Sequence, residues 1–173
     1  MIEAGGGGTV GGPHLMAEPG AVEAVARRMD SGGILLRRWF GAWVDFISLV
    51  VVLYLPGIIL RPLMGDSGLI VGGLAMLAYF PVTEGLWGRS AGKFASGTIV
   101  VDRMGRPPGI GKAALRTLLR LIEVNPFLAG GLPAGIIVLN TKERQRLGDM
   151  AAGTYVIPMK EYRTLKSVAG TFD

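Results

Sequence analysis

The chain has 173 residues, no cysteine, one histidine and a formal net charge of +5, with half of its residues hydrophobic and only 18 % charged. That length allows at most one compact domain, and so low a charged fraction beside so much apolar residue points to a membrane rather than a soluble fold. The composition excludes disulfides, a thiolate nucleophile and Cys-based metal sites, and a lone imidazole (His14, in a Gly-rich stretch) does not build a zinc or His-based acid–base centre.

Residues 1–33 read as a disordered or weakly helical tail. The GGGG run at 5–8 has no hydrophobic periodicity, and the basic start and apolar run of a secretory signal are both missing. Met16 opens a more ordinary beginning, MAEPGAVEAVARRMD, so either Met1 or Met16 can be the true start. Ala21–Met29 can form a short helix ending in Arg27 and Arg28, expected to rest on a membrane surface or to have no role.

Residues 39–60 form a 22-residue apolar run interrupted only by Asp45, and residues 68–87 a 20-residue run with Glu84 near its end. About 20 residues cross the hydrocarbon layer, so both are predicted transmembrane helices, joined by the seven residues 61–67 into an antiparallel hairpin. Gly68, Gly72 and Gly73 would let the two helices approach closely.

Lys and Arg number four in residues 1–38, one in 61–67, six in 88–116 and six in 140–173. The positive-inside rule therefore puts both ends and the 88–116 loop in the cytoplasm. Residues 110–124 alternate Leu115, Leu118, Leu119 and Ile122 with Lys112, Arg116, Arg120 and Glu123, the spacing of an interfacial amphipathic helix. The following 125–139 run is broken by Asn125-Pro126 and Gly130-Gly131-Leu132-Pro133 and is too short for two crossings. It is read as a broken or re-entrant hairpin, with a third complete span and an outside tail as the rival. Residues 159–173 are expected to be a cytoplasmic tail.

Two strings echo each other. AGKFASGTIVV at 91–101 and LGDMAAGTYVI at 147–157 align Gly92 with Gly148, Gly97 with Gly153, Thr98 with Thr154 and Val100 with Val156. They suggest two unequal halves of one plan, each ending in a short β-run, with the runs at 97–101 and 153–157 pairing on the cytoplasmic face. Lys93 in one string stands where Asp149 stands in the other, so the two could face each other as an ion pair. The fold class expected is thus an all-α membrane protein: two transmembrane helices, an interfacial helix, a broken hairpin or third span, and a small cytoplasmic two-stranded element.

The first helix begins RWFGAWVD, with Arg38 and Asp45 seven apart; RQRLGDMAAGTYVI near the end carries Arg146, Asp149, Ala152, Gly153 and Thr154; between them lie GRSAGKFASGTIVVDRMGRP and ALRTLLRLIE. This combination resembles the RDD family of membrane proteins, named for one arginine and two aspartates, over residues 34–158. Gly41 stands where Ala is usual and Ser90 where Thr is common. The resemblance implies a fold and a location in the bacterial inner membrane more than an activity; an antiporter-like exchange of alkali cations and protons has been proposed for some members.

Seven residues are two helical turns, about 10.5 Å, so Arg38 and Asp45 share a face without touching. Asp45 is expected to meet a cation from another segment: Arg116, Arg120 or Lys93. The candidate cluster is Arg38, Asp45, Glu84, Lys93, Arg116, Arg120, Glu123, Arg146 and Asp149. It reads either as a structural ion-pair network or as an H⁺ or Na⁺ site on Asp45 with Glu84 or Asp149. The corresponding functions are a component of cation/proton transport, which would have to be a homo-oligomer at this size, and a non-catalytic membrane adaptor or assembly partner. The basic loop and tail suit anionic lipid in the bilayer. No cofactor is expected, no nucleic acid is an expected partner, and Ser90, Ser96, Thr98 and Thr154 have no plausible base beside them for enzyme chemistry.

Overall fold

A computed structural model describes residues 20–123 and 132–169, leaving out the side chains of 121–123, 132–134 and 169. Among the described residues eight α-helices and two strands follow in order: α1 (Ala21–Arg28), α2 (Ser31–Met64), α3 (Gly68–Trp87), α4 (Ala91–Ala95), β1 (Thr98–Asp102), α5 (Ile110–Glu123), α6 (Leu132–Asn140), α7 (Leu147–Ala152), β2 (Thr154–Pro158) and α8 (Met159–Ala169).

The first long helix extends well past the expected 39–60. Asp30 caps its start, its side chain accepting from the Gly33 amide at 2.6 Å, and Ile34 is buried, so two extra turns form despite Gly32 and Gly33. Its 34 residues span about 51 Å, against ~30 Å for a hydrocarbon layer. The expected seven-residue loop is correspondingly reduced to one 3₁₀ turn, Gly65–Ser67. The helical stretch Ser31–Trp87 is long and apolar enough to cross a membrane. It folds back on itself: a Cβ at Gly72 would lie 1.9 Å from the Leu53 carbonyl oxygen, and Gly68 rests on Gly57. Gly73, by contrast, faces open space.

The burial pattern of α2 is inverted relative to a soluble helix. Ile34, Arg38, Gly41 and Asp45 form its buried stripe at helical spacing, while Trp39, Phe40, Trp43, Phe46 and Ile47 are exposed. Charges inside and large apolar side chains outside suit a lipid surround, where an outward charge would be costly.

The two echoing strings adopt one conformation. Each is a short helix, then a glycine at positive φ (Gly97 at 66°, Gly153 at 59°), then a strand. The strands pair antiparallel, with Val100 opposite Val156 and Asp102 opposite Thr154. Each helix docks through its matched glycine: a Cβ at Gly92 would lie 1.8 Å from the Gly41 oxygen of α2, and one at Gly148 would lie 3.3 Å from the Arg116 oxygen of α5. Because β2 joins β1, the chain between them returns to the end of the helical pair that it left. The breaks expected at 125–131 lie outside the described residues; the nine-residue α6 beyond them packs its Gly135 near Leu35 of α2.

The helices α1 and α8 have a packing role that the sequence does not announce. Val22 and Ala26 of α1 are fully buried and form a core with Ile99, Val101, Tyr155 and Ile157 on one face of the strand pair. Met159, Tyr162 and Leu165 of α8 pack against the same core, so this part of the expected tail is an ordered helix. The alternate residues of the strands, Thr98, Val100, Thr154 and Val156, face the other way.

Candidate functional site

That other face of the strand pair looks onto a cluster of charges, buried except for the half-buried Arg120 and Arg146. Arg38 and Asp45 come from α2, Glu84 from α3, Lys93 from α4, Arg116 and Arg120 from successive turns of α5, Arg146 from the turn before α7, and Asp149 from α7. Eight of the nine sequence candidates are therefore gathered in one region. The ninth, Glu123, lies in α5 with its side chain outside the described residues.

Glu84 is fully buried and is the most heavily paired group. Lys93 Nζ approaches it at 2.6 Å, Arg120 at 2.9 Å and Arg116 at 3.3 Å. Arg120 also lies over the Phe80 ring, 3.9 Å from its centroid, one helical turn before Glu84. Asp149 is the second centre. Arg38 donates to it, Arg116 Nη1 reaches its other oxygen at 2.7 Å, and the Arg146 backbone amide donates at 3.1 Å. Arg116 thus bridges Glu84 and Asp149, and it also donates to the Thr154 hydroxyl at the head of β2.

Lys93 and Asp149 do not form the ion pair suggested by their aligned positions. The reason is where their short helices dock: α4 on α2, next to the end of α3 that carries Glu84, and α7 on α5, beside Arg116. Asp149 lies outside the long hairpin, and its carboxyl is pushed up by burial but pulled further down by Arg116, Arg38 and Arg146, so it rests below the usual carboxylate range. For Lys93 burial dominates, pushing the ammonium down to about 8 against the opposing pull of Glu84.

Asp45 departs from expectation. Among the described residues no cation lies within ion-pair distance of it. Its partners are the Ser90 hydroxyl at 2.8 Å, the Gly92 amide at 2.7 Å and the Tyr79 hydroxyl at 3.3 Å. The close glycine contact between α2 and α4 brings the first turn of α4 onto the carboxylate, which is held by one helix-start amide and two hydroxyls and not by a guanidinium. Ser90 and Tyr79 were missed in the sequence. A Ser just before the AGKFA helix is a capping signal, and Ser90 does cap α4 toward Lys93, but nothing local announces its second role.

A cavity of about 140 Å³ opens between these elements, lined by Arg38, Asp45, Lys93, Arg120 and Arg146 on its polar side and by Phe46, Leu49 and Phe80 on its apolar side.

A family model described as the RDD family matches residues 33–153. The chain belongs to the RDD family. The matched region contains all eight clustered residues. The sheet-covering helices α1 and α8 fall outside the RDD match. No curated protein and no solved structure matches this RDD chain. Membership, together with the long apolar helical stretch, makes it a membrane protein.

Proposed function

We propose that this RDD protein is a multi-pass inner-membrane module that acts as a non-catalytic adaptor or assembly partner, its buried charges serving as a clamp between the helical hairpin and the strand pair. The observation that carries this reading is the engagement of all three clustered carboxylates. Glu84 and Asp149 are each held by cations, and Asp45 is occupied by two hydroxyls and an amide. A hard cation needs several oxygen ligands free of such partners. The Lys and Arg distribution supports a cytoplasmic position for both ends, with the basic loop and tail toward anionic lipid or an acidic partner protein.

One observation favours a second reading, exchange of alkali cations and protons by an oligomer. Asp45 lines the cavity and is the one carboxylate of the three without a cation beside it. Proteoliposomes separate the two. Under an imposed ΔpH the adaptor reading expects Na⁺ and K⁺ flux at the background level for wild type and for Asp45→Asn alike. Flux present in wild type and abolished in a folded Asp45→Asn protein would establish transport instead. Purification in mild detergent gives an independent answer, the adaptor reading expecting a stable hetero-complex and the transport reading a pure homo-oligomer.

A further inference from the structure

The charges around the cavity do not balance. Five cations (Arg38, Lys93, Arg116, Arg120, Arg146) meet three carboxylates (Asp45, Glu84, Asp149) in the described cluster, an excess of two positive charges. Counting Glu123 against them as well still leaves one. Of the four cations on the cavity wall, Arg38 is paired with Asp149 and Lys93 and Arg120 share Glu84, which leaves Arg146 without a carboxylate of its own, while the one carboxylate on the wall, Asp45, is held by Ser90 and Gly92.

Two further details point the same way. The Arg38 side chain is only 4 % exposed, yet its Nε has no hydrogen-bond partner. Arg146, half-buried, has no described carboxylate within ion-pair distance of its guanidinium, and desolvation, with the like charges of Arg38 and Arg120 beside it, pushes that group down to about 9 against the opposing pull of Asp149. A partly desolvated cation without a carboxylate of its own, beside a buried guanidinium with an unused donor, is favoured by a bound anion. The Ser96 and Thr98 hydroxyls on the same wall add neutral polar groups, and the volume is several times the ~30 Å³ share of one water.

We propose that this cavity binds a phosphate-type oxyanion between Arg38, Lys93, Arg120 and Arg146. Lys93 and Arg146 belong to the basic loop and tail segments but face the cavity rather than their exposed surface, and the site does not depend on the adaptor reading. The anion can be free phosphate or the phosphate of an anionic lipid headgroup. The apolar part of the lining, with the exposed Phe46 on the outer face of α2, offers a path for an acyl chain in the second case.

The test uses the full chain, delipidated in mild detergent, with two probes. Inorganic phosphate is titrated against chloride at equal ionic strength while the melting temperature is followed, and retention of phosphatidylglycerol over phosphatidylcholine is read by native mass spectrometry. At least one probe is expected to bind. Phosphate alone identifies a free anion as the ligand, and phosphatidylglycerol alone a lipid headgroup. Arg146→Gln should weaken binding at least tenfold, with Arg146→Lys staying within about threefold of wild type. Ala42→Trp, at an exposed lining position, fills the cavity without altering any charge and should also abolish binding, which keeps the test decisive if Arg146→Gln does not fold. Binding of neither probe, or binding unchanged in folded Arg146→Gln or Ala42→Trp protein, would overturn the proposal.

Discussion

Glu84 on α3 and Asp45 on α2 are both buried carboxylates on the helical hairpin, and they are satisfied in opposite ways. Glu84 draws full charges from two later segments, Lys93 of α4 and Arg116 and Arg120 of α5. Asp45 takes neutral donors from the turn into α4 and from its neighbour helix, through Ser90, Gly92 and Tyr79. An ion pair reaches across distant elements but leaves charge stranded when one partner is lost. Neutral donors need close backbone approach, which the Gly41–Gly92 contact supplies, and leave no uncompensated charge behind. The difference is one of consequence: Glu84 acts as a hub, Asp45 as a local anchor.

Removing each carboxylate is the strongest way to break this contrast. Glu84→Gln strands Lys93 and Arg120 and leaves Arg116 with Asp149 alone, and it should cost about 3–5 kcal/mol of stability, read as a large fall in melting temperature in detergent. Asp45→Asn should cost less, about 1.5–3 kcal/mol, because hydrogen bonds to a charged acceptor weaken without any cation being stranded. Equal losses would erase the distinction between hub and anchor.

How far these arrangements could be read in the sequence follows from their range. The hairpin was legible because its apolar length has few alternatives, and the strand pair because two Gly-Thr strings repeat the same turn chemistry. That charges would cluster also followed, since Arg116 and Arg120 share a face of an amphipathic helix. The pairing within the cluster did not. Lys93 meets Glu84 only because Gly88, at a φ of 66°, reverses the chain between them, and Asp45 finds Ser90 only because two glycines let α4 touch α2. Val22 and Ala26 show a helical spacing in α1, but eight residues carry no signal of which surface they cover.

Acid sharpens the comparison at a third carboxylate. Asp149 is held below its ordinary value of 3.8, so its stabilisation is fully present above that pH and is lost as pH falls from there through its lowered native value. Melting temperature measured from pH 6 downward should therefore begin to fall near pH 4, and the corresponding slope should be shallower in Asp149→Asn. A slope unchanged by that substitution would remove Asp149 from the clamp. The smallest effect is expected outside the cluster, at the Arg27–Glu143 pair, where Arg27 is 61 % exposed. Arg27→Ala should change stability by about 0.5 kcal/mol or less, and a larger loss would mean that surface pairing matters as much as the buried network.

The most direct test of the clamp is a double-mutant cycle on Arg38 and Asp149, which lie 111 residues apart and join the long hairpin to α7. Unfolding free energies of wild type, Arg38→Gln, Asp149→Asn and the double variant should give a coupling of about 1–3 kcal/mol, as for groups in one buried network. Coupling indistinguishable from zero, with all four proteins folded, would contradict the claim that these charges hold the hairpin to the strand pair.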